Sequence, residues 1–215
     1  MSLDNLKSEL VYLIRNANIL TIAQRGVTTT TTSLIPIVSA TSYTLNVANV
    51  KNIRTLTVGA TTLKYGHDYT VDLDFMDTTK KCKITFRTAK TGDLQITYDA
   101  GTDKIFNDYP RVDLSISSYP RIGLEEISKS TQNLSLGGLD FISSRVVTIL
   151  VLAENADDIE TYIAAIESLI RTNAKSLYYA KYISPTGRGP LIKHMARNDT
   201  ILQKNVDLLA KFEVE

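Results

Sequence analysis

The chain has 215 residues, 43% hydrophobic and 22% charged, with 24 basic and 23 acidic side chains for a formal net charge of +1. That composition supports a hydrophobic core in one large or two small domains and excludes a disordered chain. The charge balance speaks against a dedicated nucleic-acid binder, and a single cysteine, Cys82, excludes an internal disulfide or a cysteine-built zinc site.

In chain order, Leu3, Leu6, Leu10, Leu13, Ile14 and Ala17 recur at three- and four-residue spacing. This predicts an amphipathic helix over residues 3–23, which must dock its apolar stripe on another element. Asp4, Lys7, Glu9 and Arg15 are interspersed with the apolar positions, unlike the continuous apolar stretch of a signal peptide. Threonine dominates residues 27–32, and its β-branched side chain favours an extended linker or an entering strand. From there to Gly101 short strand-like runs follow, most of them alternating: Tyr43, Leu45, Val47; Ile53, Leu56, Val58; Leu63 and Tyr65; Tyr69 and Val71; Ile84 and Phe86; Leu94, Ile96, Tyr98. Turn signals at 66–68 and 90–93 separate them, so the stretch reads as a small sandwich or barrel.

Character then changes. Tyr109-Pro110-Arg111 is echoed by Tyr119-Pro120-Arg121, and each proline marks a strand start or edge because it lacks a ladder donor. Residues 135–152 predict a long strand, richest in apolar residues over 146–152, whose side chains point to both faces as in a central strand covered on both sides. The run 146–153 is too short to span a bilayer. Asn155 or Ala156 opens a helix, read over 157–171, with Asp157, Asp158 and Glu160 in its first turn, the stripe Ile159, Ile163, Ile166, Leu169 and Ile170, and Arg171 in its last turn. A strand is expected at 177–183, a Pro/Gly loop at 184–190, a strand at 191–197, and a final alternating strand through Val206, Leu208, Ala210, Phe212 and Val214. The whole reads as an α+β fold in two parts. A discontinuous core, residues 1–26 and 105–215, has a mostly antiparallel sheet packed by two helices. An all-β, sandwich-like domain is inserted at 27–104.

Catalytic chemistry finds no foothold. His67 lies in a turn and His194 at a surface or interface position, in different predicted domains. Asp72, Asp74 and Asp77 form the best carboxylate cluster, and alternation could put Asp72 and Asp74 on one strand face towards a hard cation. The glycine-bearing loop and closing glutamate of an EF-hand are absent, so a polar strand face and turn is the better reading. Glu125-Glu126 and Asp157-Asp158 are sequence neighbours that do not converge on one substrate. No Gly-x-Ser-x-Gly elbow occurs, and Gly187-Arg188-Gly189 lacks the spacing of a phosphate loop. The sequons at Asn133 and Asn198 carry little weight without a secretory signal. The expectation is no enzyme, no cofactor and no metal. One basic cluster stands out, Arg188, Lys193, His194 and Arg197, either a solvated hairpin or an arm meeting a neighbouring subunit or DNA in a channel.

The order of elements in the stretches 3–23, 109–127, 135–152, 157–171 and 177–215 resembles the tail terminator proteins of long-tailed phages. The insert resembles the Ig-like or small β modules of virion proteins, on the strings Leu63-x-x-Gly66-x-Asp68-Tyr69-x-Val71 and Gly92-Asp93-Leu94-x-Ile96-x-Tyr98. The resemblance implies a homo-oligomer, a six-membered ring assembled in the host cytoplasm and resident in the virion. It would cap the tail tube, contact the tube protein and the head–tail connector, meet DNA transiently in its channel, and touch no membrane. Candidate subunit-interface or channel-facing residues are Arg188, Lys193, His194, Arg197, Pro110, Arg111, Pro120 and Arg121. The alternatives are another neck, connector or tube-associated protein, or a carbohydrate- or surface-binding module using Tyr43, Tyr65, Tyr69 and Tyr98 as platforms.

Overall fold

Strands dominate the architecture, in keeping with its threonine- and valine-rich segments. In a computed structural model, describing residues 3–72, 80–108, 119–133, 141–196 and 199–214, the chain divides into two compact units. Unit 1 comprises residues 1–20 and 104–215, and unit 2 residues 21–103.

The expected first helix is broken. Helix α1 (Leu3–Asn16) ends in a turn in which Asn18 takes a left-handed conformation, φ 53°, that asparagine tolerates better than most residues. Thr21 then caps a separate single turn, α2 (Ile22–Arg25). Gln24 N–H donates to Thr21 Oγ1 (3.2 Å) and Thr21 N–H to Gln24 Oε1 (2.9 Å), a reciprocal capping box. The first boundary between the units therefore falls before Thr21 and not after Gly26, and α2 belongs to unit 2.

Among the described residues, unit 2 contains α2 and six strands: β1 (Val27–Thr31), β2 (Ile35–Ala48), β3 (Val50–Val58), β4 (Thr61–Thr62), β5 (Tyr69–Asp72) and β6 (Lys81–Gly101). All pair antiparallel in one sheet, where a sandwich would have two separate sheets. β6 is its spine and bonds to β1, β2, β3 and β5. The turn expected at 90–93 is absent, because β2 runs alongside with a register shift between Ile37 and Ala40. Gly92 lies opposite Ile37 at φ 138°, and a Cβ there would stand 3.2 Å from Val58 Cγ1, so this glycine accommodates an irregular strand. Alternate residues Cys82, Ile84, Phe86, Leu94, Ile96 and Tyr98 are buried and meet Leu45, Ile53, Leu56 and Tyr69 in one core. Burial, with the charge of Asp72 adding to it, pushes the Cys82 thiol up to about 12.

The two ends of unit 2 are held together by buried charge. Arg25 is fully buried; its Nε donates to Asp103 Oδ1 (2.9 Å), Nη2 to Asp103 Oδ2 (3.3 Å) and Nη1 to Asp99 Oδ2 (2.9 Å). Asp99 also accepts from Arg54 Nε (2.6 Å) and Thr29 Oγ1 (2.7 Å). Burial alone would raise the Asp99 carboxyl, but hydrogen bonds from Arg54 and Thr29 and the charges of Arg25 and Arg54 hold it below its ordinary value. For Arg25, burial works against the charge and the two aspartates outweigh it, so its pKa is raised.

Unit 1 follows α1 with β7 (Ile105–Phe106), β8 (Arg121–Asn133), β9 (Phe141–Ala153), α3 (Ala156–Thr172), β10 (Tyr182–Arg188), β11 (Ile192–Ala196) and β12 (Asp199–Val214). The sheet order is β10-β12-β9-β8-β7, with β11 also on β12, and every pair is antiparallel except β7 with β8. α3 forms as its sequence dictates: Asn155 accepts from Asp157 N–H (2.9 Å), Asp157 and Asp158 occupy the first turn, and Ile159, Ile163, Ile166 and Ile170 are buried. Both helices contribute to one core with the same sheet face. Leu6, Leu10 and Ile14 of α1 join the α3 isoleucines, Val147, Ile149 and Val151 of β9, and Val206, Leu208 and Ala210 of β12. On the opposite face Leu150, Leu152 and Ile201 form a smaller cluster with Tyr119. β9 is thus central and apolar on both faces, with the helices on one of them and only the smaller cluster on the other. The stretch 135–140, expected to begin this strand, lies outside the described residues.

Candidate functional site

The strand expected at 177–183 and the loop expected at 184–190 exchange roles. Tyr178 and Tyr179 donate their N–H groups to the buried Glu9 carboxylate of α1, at 2.7 Å and 3.0 Å, so these donors are not free for a sheet ladder. The strand starts at Tyr182 and runs to Arg188, with Pro185 on the outer strand of the sheet beside a register shift. A proline is tolerated there because no ladder donor is needed on the open side.

Of the predicted basic cluster, Arg188 is engaged within its own chain. Its Nε and Nη2 donate to Glu167 (2.7 and 3.0 Å) and its Nη1 to Glu160 (3.1 Å), while Lys204 also pairs with Glu160. The hydrogen bond from Arg188 holds Glu167 below the usual carboxylate range against a smaller burial effect, and Glu167 in turn raises Arg188. Lys193 is exposed on β11 opposite Leu202, and His194 lies opposite Ile201. Arg197, Pro110 and Arg111 lie outside the described residues. Arg121 is buried at the start of β8, its guanidinium 4.8 Å from the Tyr119 ring centroid, so it is not a surface cation. Pro120, half-buried, follows a cis Tyr119–Pro120 bond. Lys104, buried nearby, is lowered by burial and then by the charge of Arg121. Among the described candidates, Arg188 is thus paired within the chain and Arg121 is buried, while Lys193 is exposed.

A different site emerges at the other end of β12. Lys175, Leu177, Tyr178, Tyr179, Ala180, Lys181 and Phe212 line a groove of about 300 Å³. Tyr178 and Tyr179 meet edge to face, with ring centroids 5.0 Å apart, and Arg145 lies over the Phe212 ring at 5.2 Å. Tyr178 is 36% exposed and the neighbouring Tyr182 38%, both high for aromatic side chains. Glu9 fixes the backbone of this wall, and Lys175 and Lys181 stand exposed along it. Sequence reasoning passed over the groove; its signal is a tyrosine pair flanked by two lysines. A groove of aromatic rings beside exposed lysines can take an apolar or acidic protein surface, and no nucleophile–base pair lies among its lining residues.

The tyrosines proposed as platforms in the insert belong mostly to its interior. Tyr69 is fully buried with Tyr65 edge-on at 5.8 Å, and Tyr98 is nearly buried. Asp72 pairs with Lys80 at 2.9 Å, while Asp74 and Asp77 lie outside the described residues. His67 is exposed in its turn. Among the described residues no three acidic, histidine or cysteine side chains are grouped to hold a metal, and no helix is long and apolar enough to cross a membrane.

No protein-family model matches the chain, and no curated protein is significantly similar to it.

Proposed function

We propose that the chain is a structural, non-catalytic virion protein, a tail terminator of a long-tailed phage. Six copies would form a ring on the last tail-tube ring, stop further polymerisation, and offer the opposite side to the head–tail connector. DNA would pass through the channel with only transient contact, and unit 2, the all-β insert, would decorate or brace the ring. The observation that carries this reading is the shape of the unit 1 sheet. α1 and α3 cover one face, and the β8–β9–β12 ribbon stays paired as far as Asn133, Phe141 and Val214, past Val147 and Phe212, the last residues of β9 and β12 that join that core. A ribbon that outruns its own core completes its burial against other copies or partners.

The test is light scattering coupled to size exclusion, followed by negative-stain imaging with purified tail tubes. Closed rings, and tubes that stop growing when the protein is added, are expected. A species that stays monomeric at high concentration and leaves tube growth unchanged would overturn the reading.

A further inference from the structure

The groove beside Tyr178 has a counterpart at the far pole of the same unit. α3 runs between the two poles: Glu160, near its start, pairs with Lys204, while Ala174, just past its end, accepts from Ile183 N–H, the residue opposite Ala210. The groove pole is strongly basic, with Arg171, Lys175, Lys181 and Lys211 exposed and Arg145 stacked on Phe212. Among the described residues the far pole is acidic. Glu154, Asp157 and Asp158 are exposed where β9 passes into α3, against one exposed cation on β11, Lys193. Arg188 and Lys204 add little there, being paired to Glu160 and Glu167. The far pole also presents Leu191, 47% exposed, and Ile192, 40% exposed. Ile192 lies opposite Gln203, and Leu202 lies opposite Ala153, so β11 stands two strand spacings, roughly 10 Å, from the end of β9.

We propose that the groove receives this acidic, apolar pole of a second copy of the chain. A subunit cannot fill its own groove. Gln203 and Phe212 are nine positions apart on β12, about 30 Å of extended strand, and α3 adds a rigid spacer of about 26 Å. Two different patches that complement each other make a heterologous contact, which propagates head to tail and closes into a ring when the rotation permits. Leu191 and Ile192 seat against Leu177, Tyr178 and Phe212, and the carboxylates face Lys175 and Lys181. Opposite charge steers the encounter and fixes its direction, while burial of the apolar residues holds it. The inference rests on the ring reading and names the surfaces that would build the ring.

Two paired variants test it by native mass spectrometry and light scattering on the full chain. Lys175→Glu with Lys181→Glu makes the groove acidic, and Glu154→Lys with Asp158→Lys makes the far pole basic. Each is expected to weaken self-association by at least about tenfold through like-charge contact. Mixed in equal amounts they regain association, because each groove then meets a pole of opposite sign, and the two kinds alternate. Failure to recover on mixing overturns the proposal. Wild-type rings with both variants assembling unchanged also overturn it and leave the ring reading standing. A wild-type chain that stays monomeric overturns both. Ile192→Ser provides a charge-independent check, expected to weaken association while the circular dichroism spectrum is unchanged; unaltered association removes the apolar half of the contact.

Discussion

The fate of single charged residues depends on partners far away in sequence. Arg25 looks like a polar residue ending a helical stretch, yet it is buried against Asp99 and Asp103, 74 and 78 positions distant. Removing one side of such a pair strands the other charge in a low-dielectric site. Arg25→Ala should therefore cost about 3–5 kcal/mol in denaturant unfolding of unit 2. Asp99 adds a pH dependence of defined sign. Its folded-state pKa lies below the unfolded carboxylate value of about 3.9, so its stabilisation is fully present above that value. It is lost as pH falls through the lower, folded value. Unit 2 should hold its melting temperature from neutrality down to about pH 4 and lose it below, with a shallower loss in Asp99→Asn. An acid-insensitive wild type would contradict this assignment. Nothing local in the sequence around Arg25 could have signalled the cluster, because its geometry exists only once β1, β3 and β6 have paired.

At the scale of elements, legibility follows the range of the determining contacts. α3 could be read almost to the residue because its cap, first-turn acids and isoleucine stripe are local to it. The central position of β9 was equally plain from its apolar residues on both faces. The strand expected at 177–183 was not, since its first donors are taken by Glu9, 169 residues from Tyr178. The turn expected at 90–93 failed for a related reason: Gly92 is a turn residue by composition, but β2 on its flank keeps it in the strand. Glu9→Ala should release the 178–179 wall, leaving two backbone donors without their carboxylate at a cost of about 1–3 kcal/mol in thermal or chemical unfolding. Hydrogen exchange at Tyr178 and Tyr179 should accelerate while α3 stays protected, and unchanged exchange there would show that the wall is held by other contacts.

For the whole molecule, the mixture of strand-rich sheets and few helices was visible in sequence periodicity, whereas single continuous pairing in unit 2 was hidden. Alternation reports which face of a strand is buried, but not which strands share a sheet. Unit 2 has its own apolar core, a sheet spanned by β6 and internal partners for Arg25. Residues 21–103 expressed alone should give a cooperative thermal transition, and a chain without one would show that the unit depends on the rest of the protein. The closure of that unit has a mechanical side. β1 and the end of β6 leave it as adjacent antiparallel strands, Val27 opposite Gly101, with a Cβ at Gly101 only 2.4 Å from the Gly26 carbonyl oxygen. Tension applied through the flanking chain would peel these strands apart like a zipper, loading one rung at a time. The Arg25–Asp103 bridge sits at the open end of that zipper, so it bears the pull before any rung does.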